Sequence, residues 1–329
     1  MVGGGGYDFG MINRTNLRAA LLAFLIPGGM SALGAVGTEG SVDAPVRIPS
    51  FVDPMEEQAS EDVEDLDALA RLRSQPRLDV TIGVWFPRLE GLVTLGSGGT
   101  PLDAGPDLSI DDSTAIFNGE LEFEKGRWKL LFGGYVIDAG GNGSLQQASV
   151  VQGDTLAAGT AVNSQVDVWS ITTEASWALL TPFGQRTTPW SNPNPEFDPD
   201  PVIDLALQGV LGVRVLNLEQ QYDFAGYGVV SSNRAWVSPY LGVGLEIDWS
   251  IRQSLDFMDR IVFDVTAGWG PALSGGDSTF TVRADATFYP VPNLGITLGY
   301  RLNDWVLARD DDEFDGGLQG LFAGVGYAW

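Results

Sequence analysis

Residues 280–288 read Phe-Thr-Val-Arg-Ala-Asp-Ala-Thr-Phe, with an apolar residue at every even position and a threonine or a charge at every odd one. Only an extended chain separates two such sets cleanly, because its side chains alternate between faces with period two. A helix would scatter them around its circumference. The face carrying Phe280, Val282, Ala284, Ala286 and Phe288 needs an apolar neighbour. The face carrying Thr281, Arg283, Asp285 and Thr287 needs water or polar partners.

The same alternation recurs on both sides of this stretch. Toward the C-terminus, Leu294, Ile296, Leu298 and Leu302 oppose Thr297, Arg301 and Asn303, and Leu321, Ala323, Val325, Tyr327 and Trp329 oppose Gly320, Gly324, Gly326 and Ala328. Toward the N-terminus, Ile261, Phe263, Val265 and Trp269 oppose Asp264 and Thr266, and Val237 to Trp249 oppose Ser238, Tyr240, Glu246 and Asp248. Earlier strands set Ile203 to Val213 against Asp204, Gln208 and Arg214, and Trp169 to Leu179 against Ser170, Thr172, Glu174 and Ser176. Trp128, Leu130 and Phe132 then oppose Lys129, Gly133 and Tyr135, across a tight turn at Lys125-Gly126 from Ala115, Phe117, Leu121 and Phe123, which oppose Asn118, Glu120 and Glu122. Leu78, Val80, Ile82, Val84 and Phe86 against Asp79, Thr81, Gly83 and Trp85 complete a set of ten.

Ten is an even number, as expected when both ends of a barrel wall lie on one side of a membrane. Eight strands, if a weak one is lost, and twelve, if Leu89 to Gly96 joins another hairpin, remain open. With the N-terminus in the periplasm, residues 87–113, 139–163, 218–233, 271–277 and 307–316 are expected as loops outside the cell. Lys125-Gly126 and residues 181–200, 250–259 and 290–293 are then expected as inner turns.

Composition narrows the class of function. The chain has 329 residues and a formal net charge of -25 with 18 Lys and Arg, so it lacks the basic surface that neutralises nucleic-acid phosphates. Cys and His are both absent. Thiolate nucleophiles, disulfides, the usual zinc ligands and the Ser-His-Asp arrangement are therefore excluded. No cofactor is expected.

The beginning of the chain reads as an address. Arg14 and Arg18 precede the apolar run Ala19 to Ile26, Pro27-Gly28-Gly29 interrupts it, and small residues from Ser31 to Gly37 offer cleavage sites. The run is too short to span a bilayer, which needs about 20 residues. Residues 1–37 are expected as a signal peptide, 38–76 as an acidic periplasmic segment and 77–329 as the barrel. Within the acidic segment, Asp53-Pro54-Met55-Glu56 has the form of a helix start, and Val63, Leu66, Ala70 and Arg73 recur at helical spacing. A short helix is expected there.

Alternation alone also suits a soluble sandwich with its apolar face inward. Here the apolar face carries bulky Trp, Phe, Leu and Val, while the other is rich in Gly, Thr and charges, which fits a lipid-facing wall around a polar lumen. Trp128, Trp169, Trp177, Trp249, Trp269 and Trp329 fall near the ends of apolar stretches, where aromatic girdles belong.

The ending Gly-Leu-Phe-Ala-Gly-Val-Gly-Tyr-Ala-Trp, residues 320–329, resembles the C-terminal strand signal of Gram-negative outer-membrane β-barrels. That resemblance implies an all-β, antiparallel up-and-down transmembrane barrel of the small-barrel class, located in the outer membrane. It also implies recognition of Tyr327 and Trp329 by the barrel assembly machinery, and outer-membrane lipids and lipopolysaccharide as surroundings. Trp stands last where Phe is commoner. Omptin proteases, lipid A deacylases and the outer-membrane phospholipase share this architecture but use a catalytic His, which this chain lacks. No enzyme activity is expected.

Inside such a barrel, charges must find partners or water. Glu120, Glu122, Lys129, Glu174, Arg214, Glu246, Asp248, Asp264, Arg283, Asp285 and Arg301 are expected as a lumen network, with Asp79 and Asp204 beside them. About ten strands leave only a slender lumen, so these side chains decide whether it is open. A structural or surface-interaction barrel with a closed or narrow lumen is one expectation, and a narrow cation-preferring channel for small solutes is the other. Asp310, Asp311, Asp312, Glu313 and Asp315 read as an acidic loop whose oxygen ligands could hold a divalent cation bridging to lipopolysaccharide phosphates. The EF-hand pattern fails, since position twelve from Asp311 is Phe322.

Overall fold

Side chains that alternate in sequence separate in space when strands pair edge to edge, and a sheet with one lipid-facing side must close on itself to leave no backbone edge unpaired. The computed structural model describes residues 76–182, 203–251, 255, 257–271, 273, 278–309 and 311–329. The expected signal peptide and acidic helix lie outside these residues. In chain order the strands are β1 (Arg77–Thr94), β2 (Leu102–Asp103), β3 (Ile116–Lys125), β4 (Trp128–Ser144), β5 (Ser149–Val151), β6 (Asp154–Leu156), β7 (Ala161–Leu180), β8 (Ile203–Phe224), β9 (Gly228–Ser250), β10 (Arg260–Pro271), β11 (Ser278–Val291), β12 (Leu294–Arg309) and β13 (Asp312–Ala328).

Ten of these form the wall. Each pairs antiparallel with the next in the order β1-β3-β4-β7-β8-β9-β10-β11-β12-β13, and β13 returns to β1 over sixteen paired positions, Asp79 with Ala328 through Thr94 with Glu313. The ten expected strands are the ten observed. The turn between β3 and β4 is tight, with Gly126 at φ 62°, the positive value a type II′ hairpin turn requires at its first central position.

The strands run well beyond the expected apolar stretches. β8 has 22 residues and β9 has 23, joined by only three, so most of the expected loops 218–233 and 307–316, and residues 87–94, 139–144 and 161–163 of the expected loops 87–113 and 139–163, continue the wall. The reason shows in β8. From Leu205 to Val215 the outward positions are apolar, a span of roughly 25 Å at 3.3 Å per residue and a tilt near 40°. Beyond Val215 the outward positions become Asn217, Glu219, Gln221 and Asp223, while inward positions change from Gln208 and Arg214 to Leu216, Leu218, Tyr222 and Phe224. The period holds but its sense inverts. β7 inverts likewise between Trp169 and Asp167, and β1 between Phe86 and Arg88.

The barrel therefore has two halves. The half bearing the C-terminal residue has apolar residues outside and charges inside, as lipid demands. The far half is built like a soluble barrel, with a contiguous apolar core that includes Leu89, Val93, Val166, Leu218, Tyr222, Phe224, Trp305 and Phe314. The connections 95–115 and 145–160 contribute Leu95, Leu102, Leu108, Ile110, Leu145 and Val151 to the same core. Asp107 staples these connections together, one carboxylate oxygen accepting from Gln146 N at 2.8 Å and the other from Asp103 N at 2.9 Å.

Candidate functional site

The site is the interior of the lipid-embedded half, and inward register alone selects its residues. All eleven expected lumen residues face inward. Three charged residues and a phenol were not anticipated: Arg77 and Glu124 at the ends of β1 and β3, Arg260 at the start of β10, and Tyr289 on β11. Arg260 lies between the expected turn 250–259 and the expected strand start at Ile261, and Arg77 and Glu124 are first and penultimate in their strands. Extending the alternation by one or two residues at each strand end would have found all four.

Closest to the chain's last residue, Arg77 pairs with Asp79 and, at 3.4 Å, with Glu124, and donates to Tyr289 Oη at 3.2 Å. Arg260, 1% exposed, pairs with Asp248 at 2.9 Å and stacks its guanidinium 4.1 Å from the Tyr289 ring centroid. Lys129 bonds Glu246, which also accepts from Gln208, and lies 3.8 Å from Glu122. These residues surround a cavity of about 170 Å³.

Above that cavity two arginines bridge the lumen. Arg301 grips Glu120 with both terminal nitrogens, at 2.5 and 3.1 Å, donates to Asn118 at 3.2 Å and lies 3.7 Å from the Phe322 ring centroid. A bidentate fork of this kind is among the stronger charged pairings. Arg283 sits among Asp264 at 3.5 Å and Glu174 and Asp285, each at 3.7 Å. Asp285 also approaches Arg301 at 3.6 Å, which ties the two arginines into one network. Glu174 accepts from Tyr240 Oη at 2.8 Å. Tyr240 has room because Gly212 and Gly268 flank its ring, where any Cβ would collide with it. Arg214 differs from the others, donating to the hydroxyls of Thr172 at 3.2 Å and Thr281 at 3.3 Å. A second cavity of about 70 Å³ lies among Glu120, Tyr135, Arg214, Tyr240 and Arg301. Trp85, fully buried, meets Tyr135 edge to face at 5.0 Å where the polar network gives way to the apolar core.

The acidic stretch near the C-terminus is not brought together as expected. Asp310 lies outside the described residues, and Asp312 to Asp315 belong to β13, so alternation sends Asp312 inward and Glu313 and Asp315 outward. Asp312 is engaged structurally, accepting from Gly96 N at 2.8 Å and from Arg234 at 2.9 Å. Asp311 occupies the hairpin turn at φ 90°. Among the described residues no group of three or more His, Cys, Asp or Glu side chains is placed to hold a metal ion. Tyr327 and Trp329 both face outward and stack edge to face at 4.8 Å. With Trp128 and Trp177, paired across β4 and β7 at 4.3 Å, they form the aromatic girdle at this end.

A closed ten-stranded antiparallel barrel with an apolar band outside and a charged network inside defines the class: this is a small β-barrel protein of the Gram-negative outer membrane. Among solved structures the chain is similar to the outer-membrane protease OmpT from Escherichia coli, with 10% identity over 77% of this chain and 97% of that one and a TM-score of 0.43. It is also similar to Ail, the attachment invasion locus protein of Yersinia pestis, with 13% identity, 78% and 99% coverage and a TM-score of 0.31. Neisserial surface protein A follows with 11% identity, 76% and 96% coverage and a TM-score of 0.28. No protein-family model and no curated protein matches the chain. At these values the class rests on the barrel's own geometry.

Proposed function

We propose that this is a non-conducting outer-membrane barrel that acts through its surface, a membrane-anchored β-scaffold holding a folded head outside the bilayer. The single observation carrying this reading is the inverted far half. Strands that continue past the lipid band enclose an apolar core, with side chains of the connections folded into it. A solute path would have to cross both the arginine bridges and that core. Transport does not require an apolar core beyond the membrane, whereas a rigid platform for surface contact does. Chemistry is not part of this reading: the lumen carboxylates are engaged with arginine, lysine, tyrosine or amide partners, and the chain has no His or Cys to supply a nucleophile or base.

The placement follows from the same features. The end bearing Trp329 is assigned to the periplasm and the head to the cell exterior, with the cleaved signal peptide providing export and Tyr327 and Trp329 engaging the assembly machinery. The test is conductance in planar bilayers. The folded protein is expected to give no resolved steps in molar salt. Large, weakly selective steps would overturn this reading in favour of a channel.

A further inference from the structure

Asn118, Tyr135, Ser170, Leu216 and Trp236 are successive cross-strand partners on β3, β4, β7, β8 and β9, one row of the inner wall where the polar network gives way to the apolar core. Three side chains of this row, each less than a tenth exposed, carry a polar atom without a hydrogen-bond partner: Tyr135 Oη, Ser170 Oγ and Trp236 Nε1. Tyr135 and Ser170 are close enough to interact, yet without the geometry of a hydrogen bond. Buried polar atoms are rarely left open, and three on one row call for something that binds them.

The next inward row toward the C-terminal residue contains Glu120, Gly133, Thr172, Arg214 and Ser238, partnered in the same way. Arg214 is 6% exposed, and its hydrogen bonds go only to the hydroxyls of Thr172 and Thr281. Among the described residues no carboxylate pairs with it, whereas Arg77, Lys129, Arg260, Arg283 and Arg301 each have at least one. Burying a charge without a counter-charge is costly. Tyr135 and Arg214 line the cavity of about 70 Å³ together with Arg283, Arg301, Glu120 and Glu174, so three arginines there face two carboxylates. Both carboxylates are engaged, Glu120 by Arg301 and Glu174 by Tyr240 and Arg283, and Arg301 leaves its Nε open.

We propose that this cavity is a binding site for one small inorganic anion of the halide class, held by the Arg214 guanidinium and the Tyr135 hydroxyl. A single water needs about 10–15 Å³ of such space, so 70 Å³ admits an ion larger than water. The chemistry of the lining selects an acceptor. Arginine can only donate, and the Tyr135 hydroxyl is free to do so. A water placed among them brings two hydrogens of its own into a space whose glutamates are already taken, whereas a halide brings none and accepts from every side. It also supplies the counter-charge that Arg214 lacks, through charge-assisted hydrogen bonds. Ser170 and Trp236, on the row of Tyr135, place two further open donors beside the site.

The experiment folds the full chain into detergent in sodium bromide and crystallises it in the same salt, so that the ion enters before the barrel closes. An anomalous bromide peak is expected within hydrogen-bonding reach of Arg214 and Tyr135. In solution, the thermal midpoint is expected to rise and saturate as bromide replaces isethionate, a bulkier anion, at constant ionic strength, because an ion that binds only the folded state stabilises it. Tyr135→Phe keeps the ring and removes the hydroxyl, and should raise the half-saturating bromide concentration about tenfold, the effect of one charge-assisted hydrogen bond. Arg214→Gln should abolish both the peak and the bromide dependence; if that variant does not fold, Tyr135→Phe alone decides. Water without anomalous signal in the cavity, a midpoint indifferent to bromide, or a bromide dependence unchanged in Tyr135→Phe overturns the proposal.

Discussion

At the residue scale, the lumen shows how charges are made tolerable inside a barrel. Arg301 is 6% exposed and depends on Glu120 for both of its terminal nitrogens. Removing one partner of such a pair leaves a buried charge behind, at a cost of about 3–5 kcal/mol, whereas removing both costs far less. Arg301→Met is therefore expected to destabilise by that amount, and Arg301→Met with Glu120→Gln to recover most of it, in urea unfolding from lipid vesicles. Equal losses in the single and double variants would show that the pair is not coupled. Asp167 gives a prediction of opposite character. Because its folded pKa is raised by partial burial and by Asp138 and Glu219, its ionisation opposes folding. That penalty is absent where Asp167 is protonated in both states and sets in as pH rises through the raised value. Asp167→Asn should thus exceed the wild type in thermal stability at pH 7, with the gain fading as pH falls below the ordinary aspartate range. A pH-independent difference would assign the effect to something other than charge.

At the element scale, β12 tests the register. Leu298 is 53% exposed on the lipid face, while its neighbour Thr297 is 7% exposed, bonds Thr287 at 3.0 Å and lines the larger cavity. Leu298→Arg places a charge in hydrocarbon and is expected to cost about 2–4 kcal/mol near the midplane. Thr297→Arg loses one hydroxyl contact but enters a cavity rich in carboxylates, so it is expected to cost much less. Similar unfolding free energies for the two variants would refute the facing. The far ends of β7, β8 and β9 obey different energetics. There the lipid-half rule fails, because water replaces lipid outside and the apolar residues turn inward to bury themselves.

At the scale of the whole molecule, the proposed non-conducting reading places two barriers in series. Salt bridges among Arg283, Arg301 and the lumen carboxylates are the barrier legible in the sequence. The core containing Leu95, Leu108, Tyr222 and Trp305 is the second. Replacing Arg283 and Arg301 by Ser is therefore expected to enlarge the inner cavity while leaving the barrel non-conducting in planar bilayers, with heat-modifiable gel migration retained. Conductance from that variant would show that the apolar core does not seal the far end.

The sequence by itself determined the all-β class, an even count of strands centred on ten, and the inward facing of the eleven lumen residues from Glu120 to Arg301. A period of two ties each side chain to a face, and every wall strand carries at least four such positions. It also determined that Phe280, Val282, Ala284, Ala286 and Phe288 share one face that needs an apolar neighbour, opposite Thr281, Arg283, Asp285 and Thr287. It did not reveal where the wall ends. Asn217, Glu219, Gln221 and Asp223 alternate with Leu216, Leu218, Gln220 and Tyr222 in a pattern whose facing depends on which medium lies outside, and that depends on the height of the residue relative to the bilayer. Nor did it reveal partners. Arg301 meets Glu120 across 181 residues, and Arg234 meets Asp312 across 78, because closure of β13 onto β1 brings together positions that no local spacing relates. Tertiary closure also spread the acidic stretch at 312–315 over two faces of a strand, which turned an expected cation loop into a wall with one carboxylate pinning the head.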